Sequence, residues 1–322
     1  MRDRKDPHRI LELVGHDRPP KEIRHTEEGF LDLRGLRLDP VHKEVTLKAG
    51  GAEFGYSRSK PLFRSLVLRS IDLRGAFLND SHWTDCTFHG IKLDGASCEG
   101  INFTSSKMDS ISFVQTSLRD AHWGVKGFDG PVISKCDFRE ADLRGCTYGH
   151  PLFRDCSFIN CNLTNVKFRG ARFERCTFAG LLDGVWFKGQ QEDSDPRTAA
   201  LRNPMENVDF SRATLRFVGF THGIDLNTCK FPGEGYLRIP HPRETYANVL
   251  ERVRSSLSGE ARRRAVFYLS GILKGHFREE IPFDIFRPED LLESPMGREA
   301  ALGILQAVRE VLETTSDVRG SQ

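Results

Sequence analysis

From Phe63 to Phe178 every fifth residue is apolar, 24 positions in succession. The column includes Leu73, Trp83, Phe88, Phe103, Phe113 and Trp123, then Phe138, Phe153, Phe158, Phe168, Phe173 and Phe178. Against a hydrophobic content of 38%, chance would produce such a run with a probability of about 10⁻¹⁰. A second column stands two residues earlier and holds small or apolar side chains. Ile71, Ala76, Cys86, Ile91 and Ala96 occupy it, then Cys136, Ala141, Cys156 and Cys176, with Lys126 as its one serious break. A period of five suits neither a helix at 3.6 nor a strand at 2. Two inward residues per five, with Gly, Ser, Asp or Asn often closing the unit, predict a chain that turns a corner every five residues. Four units then complete one square coil, and 24 units predict six coils.

The pattern frays at both ends. Leu31, Leu33, Leu36 and Leu38 predict a first partial coil, and residues 40–60, with three glycines, predict a β-rich cap. After Phe178 the register slips to Val185 and Phe187, a polar insertion follows at 188–207, and the repeat resumes at Phe210, Leu215 and Phe220. Beyond Tyr236 the spacing becomes helical. Tyr246, Val249, Leu250, Val253 and Leu257, a Ser258-Gly259 break, then Ala261, Ala265 and Leu269 predict a helical hairpin, and residues 299–315 predict a third helix.

IDLRG at 71–75, ADLRG at 141–145, CNLTN at 161–165 and ARFER at 171–175 resemble pentapeptide repeats. The resemblance implies a mainly β fold: a right-handed quadrilateral β-helix with both columns facing its axis, followed here by an α-helical C-terminal module. The expected organisation is a flexible charged segment at 1–28, a partial coil and cap at 29–60, the β-helix at 61–235 with its inserted loop, and the helical module at 236–322. Stacked repeats leave open backbone edges at their ends, so caps are expected.

Eleven of the 23 Phe stand in the one five-residue column, which explains their abundance. Charge changes the picture more. The chain carries 47 Lys and Arg against 45 Asp and Glu, a net +2, and residues 61–183 hold 15 against 14. There is no basic excess to attract nucleic acid and no acidic shell to imitate it. The outward series Arg74, Asp94, Val114, Ser134, Arg154, Glu174 alternates in sign. Eight cysteines are too few for a disulfide scaffold, no apolar run reaches membrane-spanning length, and the first fifteen residues lack a signal peptide's apolar stretch. A cytoplasmic protein is expected.

No catalytic, cofactor-binding or metal site is expected. Phosphate-loop, nucleophile-elbow, H-E-x-x-H and C-x-x-C signatures are absent. Cys136, Cys156 and Cys176 fall one above another in the inward column, where cysteine acts as a small hydrophobe rather than a ligand. Candidate partner-binding residues are a polar ladder counted by twenties, His82, Asn102, His122 and Asp142, and the inserted loop's Glu192, Asp193, Asp195, Arg197 and Arg202. Arg262, Arg263, Arg264, His276, Glu279 and Glu280 are the densest polar group of the C-terminal module and read as a charged helix face.

The resemblance implies binding rather than turnover. Its best-understood branch binds type II topoisomerases through an acidic DNA-like rod, projecting loops and a dimerising C-terminal helix. With that acidity missing, the leading expectation is a protein-binding scaffold that engages an unidentified protein partner through rod, loop or C-terminal helices, or dimerises through those helices. Topoisomerase binding that protects against topoisomerase poisons ranks second, and an enzymatic activity in the C-terminal module third. No direct nucleic-acid or membrane contact is expected.

Overall fold

A computed structural model describes residues 6–38, 43–49, 52–58, 60–124, 130–189, 202–277 and 281–319. The chain folds into two compact units, residues 1–166 and 167–322.

In the first unit the five-residue rule becomes a right-handed square coil. Strands Leu31–Asp32, Val67–Asp72, Thr87–Lys92, Lys107–Asp109, Val132–Ser134 and Leu152–Arg154 pair in parallel along one face. Leu62–Arg64, His82–Thr84, Asn102–Thr104, His122–Trp123 and Thr147–Tyr148 do the same on another. Single bridges such as Ser97 to Ser117 and Asp137 to Ser157 mark the two remaining faces. The corners explain the polar closing residue of each unit. Ser65, Asp80, Asp85, Asp120, Asn160 and Asn165 all have φ between 53° and 60°, a left-handed backbone that short polar side chains and glycine accept at low cost.

Both columns turn inward. Leu73, Trp83, Phe88, Phe103, Phe113, Trp123, Phe138, Phe153 and Phe158 are buried, as are Cys136 and Cys156. Parallel pairing places like rings above one another: Phe113 on Phe138 at 4.9 Å and Phe138 on Phe158 at 4.8 Å, nearly coplanar in tilt. That distance is the inter-strand spacing, so backbone pairing and ring stacking are satisfied together. Each such ring contributes about 1.5–3 kcal/mol of burial.

Two features depart from the sequence reading. Residues 7–15 are not a loose charged segment but a helix, α1 (Pro7–Gly15), started by Asp6 accepting from the His8 N–H and by Pro7 in its first turn. It buries Leu11 and Val14 and lays the His8 ring 5.1 Å from Phe63, shielding the first coil's aromatic column. Second, the coil after His122 is longer than the twenty-residue coils before it: Asn102 pairs with His122, yet His122 pairs with Thr147, twenty-five residues on. Phe128 and Lys126, counted in the columns, lie outside the described residues. Counting by twenties past this coil therefore misplaces every outward residue. Antiparallel strands Lys43–Ala49 and Ala52–Arg58 form a hairpin ahead of the first full coils.

The second unit begins with the same repeat and then interrupts it. Strands Lys167–Phe168, Trp186–Lys188 and Gly219–Thr221 pair in parallel, with Phe168, Phe187 and Phe220 in register. The first of these steps is nineteen residues, which is the slip seen after Phe178, and the second is thirty-three, which holds the insertion. Thr177–Asp183 pairs with Asp209–Arg216. Phe168, Phe173, Phe178 and Cys176 are buried.

Four helices follow: α2 (Pro242–Ser256), α3 (Gly259–Gly275), α4 (Pro288–Glu293) and α5 (Arg298–Arg319). Val249 and Val253 of α2 and Ala301, Ile304 and Val308 of α5 supply their buried faces. Gly303 lets α5 approach Leu257, since a Cβ there would lie 2.7 Å from the leucine side chain. Helical spacing did not disclose an antiparallel strand pair, Leu237–Pro240 with Phe283–Phe286, that brackets the hairpin. Phe283 meets Phe231 edge-on at 5.8 Å, so the helical module covers the last coil's aromatic column. Asp290 accepts from the Phe217 N–H at 2.8 Å and Glu293 from Arg216 Nε at 3.0 Å, which fastens α4 to the coil's free backbone edge.

Candidate functional site

The structure brings together three of the four ladder residues. His82, Asn102 and His122 stand in register on neighbouring strands, half-exposed, with Thr147 Oγ1 2.7 Å from His122 Nδ1. Asp142 does not join them. The long coil shifts it to another face, beside Ser117 and Asn162, where its carboxylate accepts from Arg144 Nη2 at 2.6 Å. The same shift places Ser134 beside Asp109 instead of Val114.

The D-x-R triplets form local ion pairs: Asp32 with Arg34, Asp72 with Arg74, Asp137 with Arg139 and Asp142 with Arg144. Hydrogen bonds from Arg34 hold the Asp32 carboxyl down at about 2. Burial pushes the Asp72 carboxyl up, yet Arg74 overrides it and leaves it below the usual range. At these corners positive and negative charge is paired locally.

The cysteines are sealed. Cys146 Sγ donates to Leu118 O at 3.1 Å and Cys161 Sγ to Phe138 O at 2.7 Å. Burial pushes the thiols of Cys98, Cys146 and Cys161 up to about 12. Thiols held protonated are poor nucleophiles and poor ligands. Among the described residues no group of three or more His, Cys, Asp or Glu is placed to hold a metal ion.

Of the inserted loop, Glu192, Asp193, Asp195 and Arg197 lie outside the described residues, and Arg202 is exposed. The loop's return is anchored: Asn203 N donates to Gly189 O at 2.7 Å, and Asn203 Oδ1 accepts from the N–H groups of Phe173 and Met205. In the helical module Arg263 and Arg264 both pair with Glu260 on exposed α3. Glu279 and Glu280 lie outside the described residues. His276 leaves this group and turns toward the coil.

There it meets the chemistry that sequence reasoning missed. The Trp186 indole lies over Gly219, where any Cβ would come within 2.3 Å of the ring, and its centroid is 4.6 Å from His276 at the end of α3. Two cavities border these rings. One, of about 250 Å³, is lined by Tyr246, Tyr268, Asp284, Asp290, His276 and Trp186 among others. The Tyr246 hydroxyl donates to Asp284 Oδ2 at 3.0 Å. Burial pushes the Asp284 carboxyl up to about 6, against the lowering effect of that hydroxyl and of the Ile285 N–H. Burial also raises Asp290, opposed by Arg287 and the Phe217 N–H.

The second cavity, of about 350 Å³, is lined by Lys167, Arg169, Lys188, His222 and His276, with Trp186, Thr221 and Gly275 completing the wall. Lys188 Nζ and His222 Nε2 are 3.2 Å apart, and His222 Nδ1 is 2.8 Å from Thr221 Oγ1. Burial, then the charge of His222, lowers the His276 imidazole. An acid set in an apolar strand, PFDIF at 282–286, was the sequence signal for the first cavity. The basic wall had none, because its members come from three separate coils.

The pentapeptide-repeat family model matches in eight copies over residues 84–120 and 136–180. No curated protein matches the sequence. Among solved structures, the chain is similar to QnrB1, a plasmid-mediated fluoroquinolone resistance protein, at 16% identity over 63% of this chain and 84% of that one, with a TM-score of 0.35. HetL, involved in heterocyst differentiation regulation in the cyanobacterium Nostoc sp. strain PCC 7120, is 12% identical over 64% and 87%, with a TM-score of 0.32. Repeat, corner geometry and family model agree that this chain carries the repeats of the pentapeptide-repeat family over residues 84–120 and 136–180.

Proposed function

We propose that the protein is a non-enzymatic scaffold that engages a protein partner through its C-terminal helical module, with the coils as a rigid mount. Phe267 carries this reading: it stands on α3 with 83% of its surface exposed. Leu302 on α5 and Leu292 on α4 are also exposed. The coils expose Leu62, Phe77, Leu181 and Phe217 as well, at 38–52%, so the near-complete exposure of Phe267 is what marks the helical module as the association surface. A partner with an apolar contact surface, or a second copy of the chain, suits it. Among the described residues no helix is long and apolar enough to cross a membrane.

Type II topoisomerase binding ranks below this reading, because the Asp–Arg pairs neutralise the acidic surface that duplex mimicry requires. The test is Phe267→Asp in the full chain, followed by light scattering and by co-purification from the source cells. The expected result is loss of a specific associated species, at least tenfold in affinity by roughly 1.4 kcal/mol, with the melting temperature unchanged. Identical association by both proteins would remove the helical module as the docking element.

A further inference from the structure

The two cavities beside Trp186 point to a ligand of a different class from a protein partner. Lys167 and Lys188 stand on neighbouring strands of one sheet, Arg169 follows the end of the first, and Lys167 is in register with Trp186. Like charges side by side across a sheet repel, and a concave wall concentrates their field. Two imidazoles, His222 and His276, close the same wall. Lys, Arg and His together provide the donors that bind a phosphate dianion through charge-assisted hydrogen bonds. The adjoining cavity shares Trp186, Thr221 and His276 as lining and has the opposite character: the Asp284 carboxyl and the hydroxyls of Tyr246 and Tyr268 accept hydrogen bonds from a ligand's polar end. The volumes, about 350 and 250 Å³, together fall within the range of small-molecule sites, roughly 300–1,000 Å³.

We propose that this protein binds a small phosphate monoester, its phosphate on Lys167, Arg169 and Lys188 and a hydrogen-bond-donating group reaching Asp284 and Tyr246. The site lies on the coil face that meets α3, so occupancy ties α3 to the coil. It is independent of the exposed ring of Phe267.

Titration of the full chain tests it with three probes: adenosine monophosphate, adenosine and inorganic phosphate. The readout is the Trp186 indole N–H resonance, assigned by its loss in Trp186→Phe, alongside calorimetry. Adenosine monophosphate is expected to shift that resonance saturably and to bind at least about tenfold tighter than either fragment. Arg169→Glu, at an exposed position that the fold tolerates, is expected to weaken the monophosphate and inorganic phosphate alike and to leave adenosine unaffected. Asp284→Asn is expected to weaken the monophosphate and adenosine but not phosphate. No saturable binding of the monophosphate, or binding indifferent to Arg169→Glu, overturns the proposal. Inorganic phosphate binding as tightly as the monophosphate overturns the role of the Asp284 cavity. Phe267→Asp leaves monophosphate binding intact, so this site and the association surface fail or stand separately.

Discussion

Residues 60–166 and residues 167–322 start from the same five-residue rule and reach opposite chemical ends. In the first unit coil follows coil, with a single longer one, and polar groups are settled locally. Ser81 Oγ donates to Leu78 O and accepts from Trp83 Nε1, Thr116 Oγ1 donates to Leu93 O, and each D-x-R triplet pairs its own charges. In the second unit steps of nineteen and thirty-three residues break the count. There, two carboxyl groups raised by burial, two cavities and an exposed Phe267 occur within one helical module and the coils it covers. The interrupted repeat gathers ionisable groups around cavities, where the regular repeat pairs them beside their own corners.

The largest expected effect tests the first unit's core. Phe138→Ala removes a ring stacked on both neighbours, Phe113 and Phe158, and is expected to cost about 3–5 kcal/mol. Denaturant unfolding measures it, with amide exchange rising along the coils of residues 60–166. A cost below about 1 kcal/mol would show that the rings do not share the load assumed here. Next, Asp290→Ala strips the Phe217 N–H of its side-chain acceptor and Arg287 of one of its acceptors and is expected to cost about 1–3 kcal/mol, with exchange rising in α4 and at residues 215–220. Exchange unchanged there would mean that α4 is not fastened by this carboxylate.

The smallest expected effect is a contrast in pH response. Asp32, Asp72 and Asp142 lie below the ordinary carboxylate range in the fold. Their ionised forms therefore stabilise the first unit above about pH 4, and that contribution is lost as pH falls toward 2. Asp284 lies above its ordinary value, at about 6. Its protonated form is the one the fold favours, so the contribution of Asp284 to the second unit is full below about pH 4, falls as pH rises to 6, and is lost above. Unit-resolved exchange at pH 3, 4.5 and 7 measures both slopes. Asp284→Asn is expected to flatten the second and leave the first untouched; parallel slopes in both units would break the contrast.

Most of the coil was legible because period-five spacing is itself the fold: an inward ring at Phe113 or Phe158 needs no distant partner to be recognised. The long coil after His122 was not legible, since the apolar beat runs on unbroken in the sequence while His122 pairs with Thr147, twenty-five residues on. That one unit sent Asp142 to the wrong face of the ladder. Helix α1 was masked by its charges, although Asp6-Pro7 is a start signal and Leu11 and Val14 its buried stripe. The second unit's cavities depend on pairings such as Tyr246 with Asp284 and Trp186 with His276, thirty-eight and ninety residues apart. No local period encodes such distances.

The central claim is that the helical module, not the regular coil, carries the association surface. A photo-crosslinking residue placed at Phe267, and in a parallel protein at Asn102 on the coil's outward ladder, tests it in the source cells. A discrete adduct at position 267 and none at 102 is the expected result. An adduct at 102 with none at 267 would contradict it and return partner binding to the coil.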